Sequence, residues 1–179
     1  MESLLVNTAN TSSMKLEANG MSEIRIMFSS LFKQNHEANE DFIMLFEKHN
    51  KIPIKCIEIF AHIINVHELW LNRITNVEDG EVKAWRSLSK EDFSTHNADN
   101  YYITLGLLAS ESYGKIYNWN FSYTNQDGKQ IERSLTDAYI HIISHSTYHR
   151  GQLAYILKQH GISLPEKQFS ILRNNQYPF

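Results

Sequence analysis

The chain has 179 residues, 42% of them hydrophobic and 21% charged, enough for one domain with a sizeable core rather than two small ones. Seventeen Lys and Arg stand against 20 Asp and Glu, a net charge of −3, so no strong positive field exists to hold nucleic acid or an anionic membrane. The single cysteine, Cys56, excludes an internal disulfide framework and any CxxC motif.

The first residues, Met1-Glu2-Ser3-Leu4-Leu5-Val6, lack the positive charge of a signal peptide. No apolar run approaches the roughly 18 to 20 residues that a membrane span needs. A soluble, cytoplasmic protein is the expectation. Residues 1–20, rich in Ser, Thr and Asn, read as a flexible leader, with residues 21–179 as a single domain.

From Ile24 to about His49 the apolar residues Ile24, Met27, Phe28, Leu31, Phe32, Phe42, Leu45 and Phe46 recur at steps of three and four, the mark of an amphipathic helix. Pro53 suits the start of a second helix, where its missing N–H costs nothing, and that helix runs from Ile54 to about Ile74. The stretch 72–89, with Asp79-Gly80, reads as a loop, and Ser89-Lys90-Glu91-Asp92 can cap a turn after it. A third helix is expected to start between Ser94 and Ala98 and to reach about Tyr117.

The period then changes. Residues 119–124 alternate aromatic and polar, 125–128 supply turn chemistry and 129–133 return, so a short hairpin is expected. Ser134-Leu135-Thr136-Asp137 resembles a capping box and opens a helix that runs to His160, with Gly161 as its stop. After Pro165 one more short turn is expected. The fold class read from this order is all-α: an antiparallel four-helix bundle with a short β-hairpin inserted before the last long helix.

Nine histidines are the unusual feature. His145 and His149, four apart on the last helix, lie about 40° apart around its axis and can reach one ion. They point to the bundle interior with Ile142, Leu153 and Ile156, and His141 flanks them. The intervening Ser146-Thr147-Tyr148 lacks the Glu of HExxH, which leaves a zincin-type protease unsupported. A metal site needs at least a third ligand, from another helix. Helix two offers His62 and His67, each flanked by apolar residues, and the helical wheel does not choose between them. His36, His49, His96 and His160 sit in polar or terminal contexts and read as solvated.

The run from His141 through His145 and His149 to Arg150-Gly151-Gln152-Leu153 resembles the signature helix of the DinB family. Ala61-His62-Ile63 followed by Trp70-Leu71-Asn72-Arg73 is similar to that family's second helix, Asn35-His36-Glu37-Ala38-Asn39 to a segment of its first, and the hairpin at 122–129 to its connection before the last helix. The resemblance covers roughly residues 22–173. It implies a four-helix bundle that binds a divalent metal through His62, His145 and His149, and it implies a homodimer. The family's acid in a Pro-x-x-Asp segment after the last helix has Gln168 as its nearest equivalent here.

Three neutral imidazoles leave the ion's charge uncompensated and coordination positions open, the pattern of catalytic rather than structural sites. Zinc and nickel fit, and imidazole ligation does not select strongly between them. The resemblance implies chemistry at a thiol, with a low-molecular-weight thiol as cosubstrate, as in thiol S-transferases. A non-catalytic metal- or small-molecule-binding bundle and a metal-dependent hydrolase are the alternatives, and nucleic-acid binding is disfavoured by the acidic balance.

Around the ligands, Gln152 is placed to hydrogen-bond a ring nitrogen, Arg150 to meet an anionic substrate or to stay in solvent, and Asn39 to face the site from helix one. Gly151 within a helix suggests close approach of another helix. Trp70 reads as core, and Cys56 as a buried, inert thiol.

Overall fold

The computed structural model describes residues 2–77, 82–110, 119–125 and 127–164, with side chains from Glu23 onward. Four helices, α1 (Glu2–Lys48), α2 (Ile54–Thr75), α3 (Phe93–Ala109) and α4 (Leu135–Gln159), are joined by a 3-10 turn at Lys90–Asp92 and a hairpin of β1 (Asn120–Thr124) and β2 (Gln130–Ser134) before α4. The helical backbone of α1 continues through the segment read from sequence as a leader. The expected turn beyond Pro165 lies outside the described residues, as does the stretch 111–118 into which α3 was extended.

The ends of the helices follow their local chemistry. Pro53, at φ −55°, precedes α2 and its carbonyl accepts the Cys56 N–H at 2.8 Å. Asn76 closes α2 in the left-handed region at φ 55°, which Asn tolerates better than most residues. Ser134 caps α4, its Oγ accepting the Asp137 N–H at 3.0 Å. At the other end Gly161 takes φ 71°, the Gly161 N–H bonds to Lys158 O at 3.1 Å, and the Ile162 N–H reaches back to Leu157 O at 3.0 Å. That is a Schellman stop, and it requires a residue free to adopt positive φ.

The strands pair antiparallel with Asn120 opposite Ser134 and Tyr123 opposite Ile131. Asn125 Oδ1 accepts the N–H of Asp127 and of Lys129 across the turn. The hairpin is fastened to the helices by Phe121 and Tyr123, whose rings meet Trp70 edge-on at 6.2 and 5.8 Å. Trp70 is therefore core, as read from sequence, and it is 8% exposed.

The interior is divided along its length. One apolar cluster holds Phe28 and Phe32 of α1, Trp70 and Ile74 of α2, Leu107 and Leu108 of α3, and Tyr139 and Ile142 of α4. The other holds Phe42 and Phe46, Phe60 and Ile63, Phe93, and Leu153 and Leu157 from the same four helices in turn. Buried polar residues occupy the levels between: Asn35 and Asn39, His62, Asn65 and His67, Asn97, Asn100 and Thr104, and Ser146. Every helix crosses this belt.

The order in which each helix meets the clusters gives its direction. α1 and α4 run from the first cluster to the second, and α2 and α3 run the other way. The packed pairs α1/α3 and α2/α4 are thus antiparallel, whereas α2 and α3 are parallel. The described part of the connection between them, residues 82–92, passes the belt, where Ala84 O meets His62, and leads into α3 at the level of the second cluster.

Candidate metal centre

His62 enters the belt from α2, between the core residues Ile59 and Val66, and is 7% exposed. His145 and His149 enter from α4, one turn apart on a helix whose register is set by the buried Tyr139, Ile142, Leu153 and Leu157. One nitrogen from each of the three falls within 4.8 Å of the others, and the Nε2 atoms of His62 and His145 are 3.0 Å apart. A tetrahedral ion with bonds of about 2.0–2.1 Å separates its ligand nitrogens by about 3.3 Å. The spacings within the cluster, from 3.0 Å up to at most 4.8 Å, bracket that value.

The tautomers are set from outside the cluster. His62 Nδ1–H donates to Ala84 O at 2.7 Å, and His149 Nδ1–H donates to Gln152 Oε1 at 2.8 Å. Each bond places the proton on Nδ1 and leaves Nε2 with its lone pair turned inward, the form that binds a metal. His145 Nδ1 is buried with no hydrogen-bond partner among the described residues. Burial, followed by the neighbouring His149, His62 and His141, pushes His145 down to about 3, and burial likewise lowers His62. His62 and His145 are therefore biased toward uncharged imidazole. No carboxylate belongs to this group among the described residues.

The loop after α2 closes one side. Trp85 stacks on the His62 ring at 3.8 Å with 5° between planes while remaining 60% exposed. Its neighbour Arg86 holds the loop down. Arg86 O accepts from Asn65 Nδ2 at 2.6 Å, and Arg86 Nη2 donates to Glu68 Oε2 at 2.9 Å and to Asn65 Oδ1 at 3.2 Å. Sequence reasoning missed Ala84, Trp85 and Arg86. A Trp between basic residues in a loop is a faint signal, and a backbone carbonyl that orients a histidine leaves no signature in residue type.

The other residues singled out from sequence are distributed as follows. His67 is not with the triad: it is buried against Phe32, and its Nε2–H donates to Thr104 Oγ1 at 2.9 Å, since that hydroxyl already donates to Asn100 O. Of the two α2 histidines, His62 is the one grouped with His145 and His149. His141 flanks, its ring 5.5 Å from His145 and 5.4 Å from Trp70. Gln152 Oε1 accepts from His149 Nδ1–H.

Arg150 and Asn39 bond to other residues of the belt and not to the three histidines. Arg150 Nη1 donates to Asn35 Oδ1 at 2.7 Å and to Asn39 Oδ1 at 2.8 Å, and Asn39 Nδ2 donates to Asn97 Oδ1 at 3.0 Å. The guanidinium thereby ties α4 to α1 while the side chain stays partly exposed. His36 is not simply solvated, because it stacks on Tyr101 at 4.4 Å and accepts from Asn97 Nδ2. Gly151 is exposed, and a Cβ there meets nothing within 4 Å, so among the described residues no other helix comes close. Cys56 is fully buried, and burial raises its thiol to about 11, which makes it inert as read.

The model of the DinB family matches residues 46–175, which span α2 to α4 with all three histidines. No curated protein and no solved structure matches the chain. Among the described residues no helix is long and apolar enough to cross a membrane.

Proposed function

Since the chain belongs to the DinB family, we propose that it is a divalent-metal-dependent protein whose ion, zinc or nickel, is held by His62, His145 and His149. The observation that carries this reading is the pair of outer hydrogen bonds, Ala84 O on His62 and Gln152 Oε1 on His149, which aim two lone pairs at one point beside His145. An ion held there by neutral imidazoles alone supplies Lewis acidity and lowers the pKa of a coordinated thiol or water. Thiol S-transferase-like chemistry on a small-molecule substrate, with a low-molecular-weight thiol as cosubstrate, is the activity we assign. The chain's own part is to keep the imidazoles uncharged, to fix their rings through the loop at 84–86 and Gln152, and to shield one face with Trp85. We read the helices as a four-helix bundle and the protein as a cytoplasmic homodimer.

The test is turnover. Protein loaded with zinc or nickel is assayed for consumption of a thiol in the presence of electrophilic acceptors, beside a His145→Ala variant that keeps its helical circular dichroism. Turnover by the wild type and none by the variant is the predicted result. Equal rates in both would contradict it.

A further inference from the structure

An open cleft of about 540 Å³ lies along the α2/α4 seam, lined by Lys55, Ile59, Tyr148, Gly151, Gln152, Tyr155 and Ile156. It adjoins the histidine cluster through covalent neighbours and through contacts. Ile59 precedes His62 by one turn of α2, and Gln152 and Ile156 follow His149 by one and two turns of α4. Gln152 both lines the cleft and bonds to His149, and the Tyr148 ring lies 5.1 Å from the His149 ring. We propose that this cleft is the subsite for the organic body of the metal's exogenous ligand, a singly anionic small molecule with an aromatic or branched apolar group.

The chemistry of the walls gives that class. Three neutral imidazoles leave a dication uncompensated, so the group that completes its coordination is an anion, a thiolate for the reading given above, on which this inference rests. The floor of the cleft is Ile59 and Ile156. Its rim carries two phenols, Tyr148 and Tyr155, each 65% exposed, with the side-chain-free surface of Gly151 between them. Apolar floors and aromatic rims take apolar ligand bodies, with a few polar groups to orient them. The one cation, Lys55, is already bonded to Glu58 Oε2 at 3.2 Å and so does not call for a second negative charge on the ligand. The Gln152 amide, with its oxygen spent on His149, keeps its N–H groups for the ligand.

The test uses cobalt-substituted protein titrated with benzyl mercaptan and with 2-mercaptoethanol, read by the thiolate-to-cobalt absorption band. Wild-type protein is predicted to bind benzyl mercaptan about tenfold more tightly than 2-mercaptoethanol, the order of discrimination that an apolar pocket supplies. Tyr148→Ala and Tyr155→Ala, both at exposed positions, remove most of that preference. A cobalt–thiolate band with equal affinities, or a preference untouched by both variants, would overturn the cleft assignment alone. Absence of any cobalt spectrum would overturn the metal centre and the cleft's role with it. Dissociation of a dimer by the same two substitutions would overturn the subsite in favour of a face between two copies of the chain.

Discussion

The Nε2 atom of His145 lies 3.0 Å from the Nε2 atom of His62, although 83 residues separate them. His62 has given its proton to the Nδ1 side, where it bonds to Ala84 O at 2.7 Å, so its Nε2 presents a lone pair. Two lone pairs do not face each other at that distance without something positive between them. Between two neutral rings that is the His145 Nε2 proton, which leaves the buried His145 Nδ1 with no partner among the described residues. A metal ion held by His62, His145 and His149 would do the same for three nitrogens at once.

If orientation from outside matters, Gln152 is the residue to change. Gln152→Ala removes the acceptor for His149 Nδ1–H and is predicted to weaken metal binding by about 10- to 100-fold, the usual cost of losing such a partner. Gln152→Glu keeps an acceptor and makes it stronger, and is predicted to bind at least as tightly as wild type. Competition against a chromophoric chelator measures both. Equal affinities in all three proteins would show that the hydrogen bond at 2.8 Å does not tune the site.

Arg150 provides a prediction about stability. Its Nη1 serves Asn35 and Asn39 together, and Nη2 reaches Thr147 Oγ1 at 3.2 Å. Burial lowers its pKa only to about 10, so it stays charged at neutral pH. Arg150→Met removes the donors and strands two buried amide oxygens, for a loss of about 2–4 kcal/mol in urea unfolding. A change within about 0.5 kcal/mol would instead mark Arg150 as a surface side chain.

His67 makes the fold sensitive to acid. Complete burial depresses it from 6.5 to about 3, so at intermediate pH the unfolded chain binds a proton that the folded chain refuses. Its neutral form therefore supports the fold fully above about pH 6.5, and that support is lost as pH falls from there toward 3. The slope is about 1.4 kcal/mol per pH unit. His67→Gln retains a donor for Thr104 without the titration. Between pH 7.5 and 5, in the presence of a chelator, wild type is predicted to lose about 2 kcal/mol more than the variant. Parallel losses would place the acid sensitivity elsewhere.

Much of this arrangement is legible in the sequence where local rules decide. The last helix is marked at both ends, by Ser134 with Asp137 and by Gly161, and both signals operate as caps in the structure. His145 and His149 follow from spacing on that helix. The choice of His62 over His67 does not follow from spacing, because both positions are buried, 7% and 5% exposed, and periodicity reports burial without reporting what lies opposite. The same holds for Arg150, whose partners are 111 and 115 residues away. The contributions of the loop after α2, the Ala84 carbonyl and the stacked Trp85 indole, have no spacing rule to reveal them.

The most direct test is elemental analysis of untagged protein, wild type beside His149→Ala, with helical content checked in both. Near-stoichiometric zinc or nickel in the wild type and its loss from the folded variant is the predicted result. Metal absent from both after reconstitution, or retained equally by both, would contradict the assignment of His62, His145 and His149 as a metal centre.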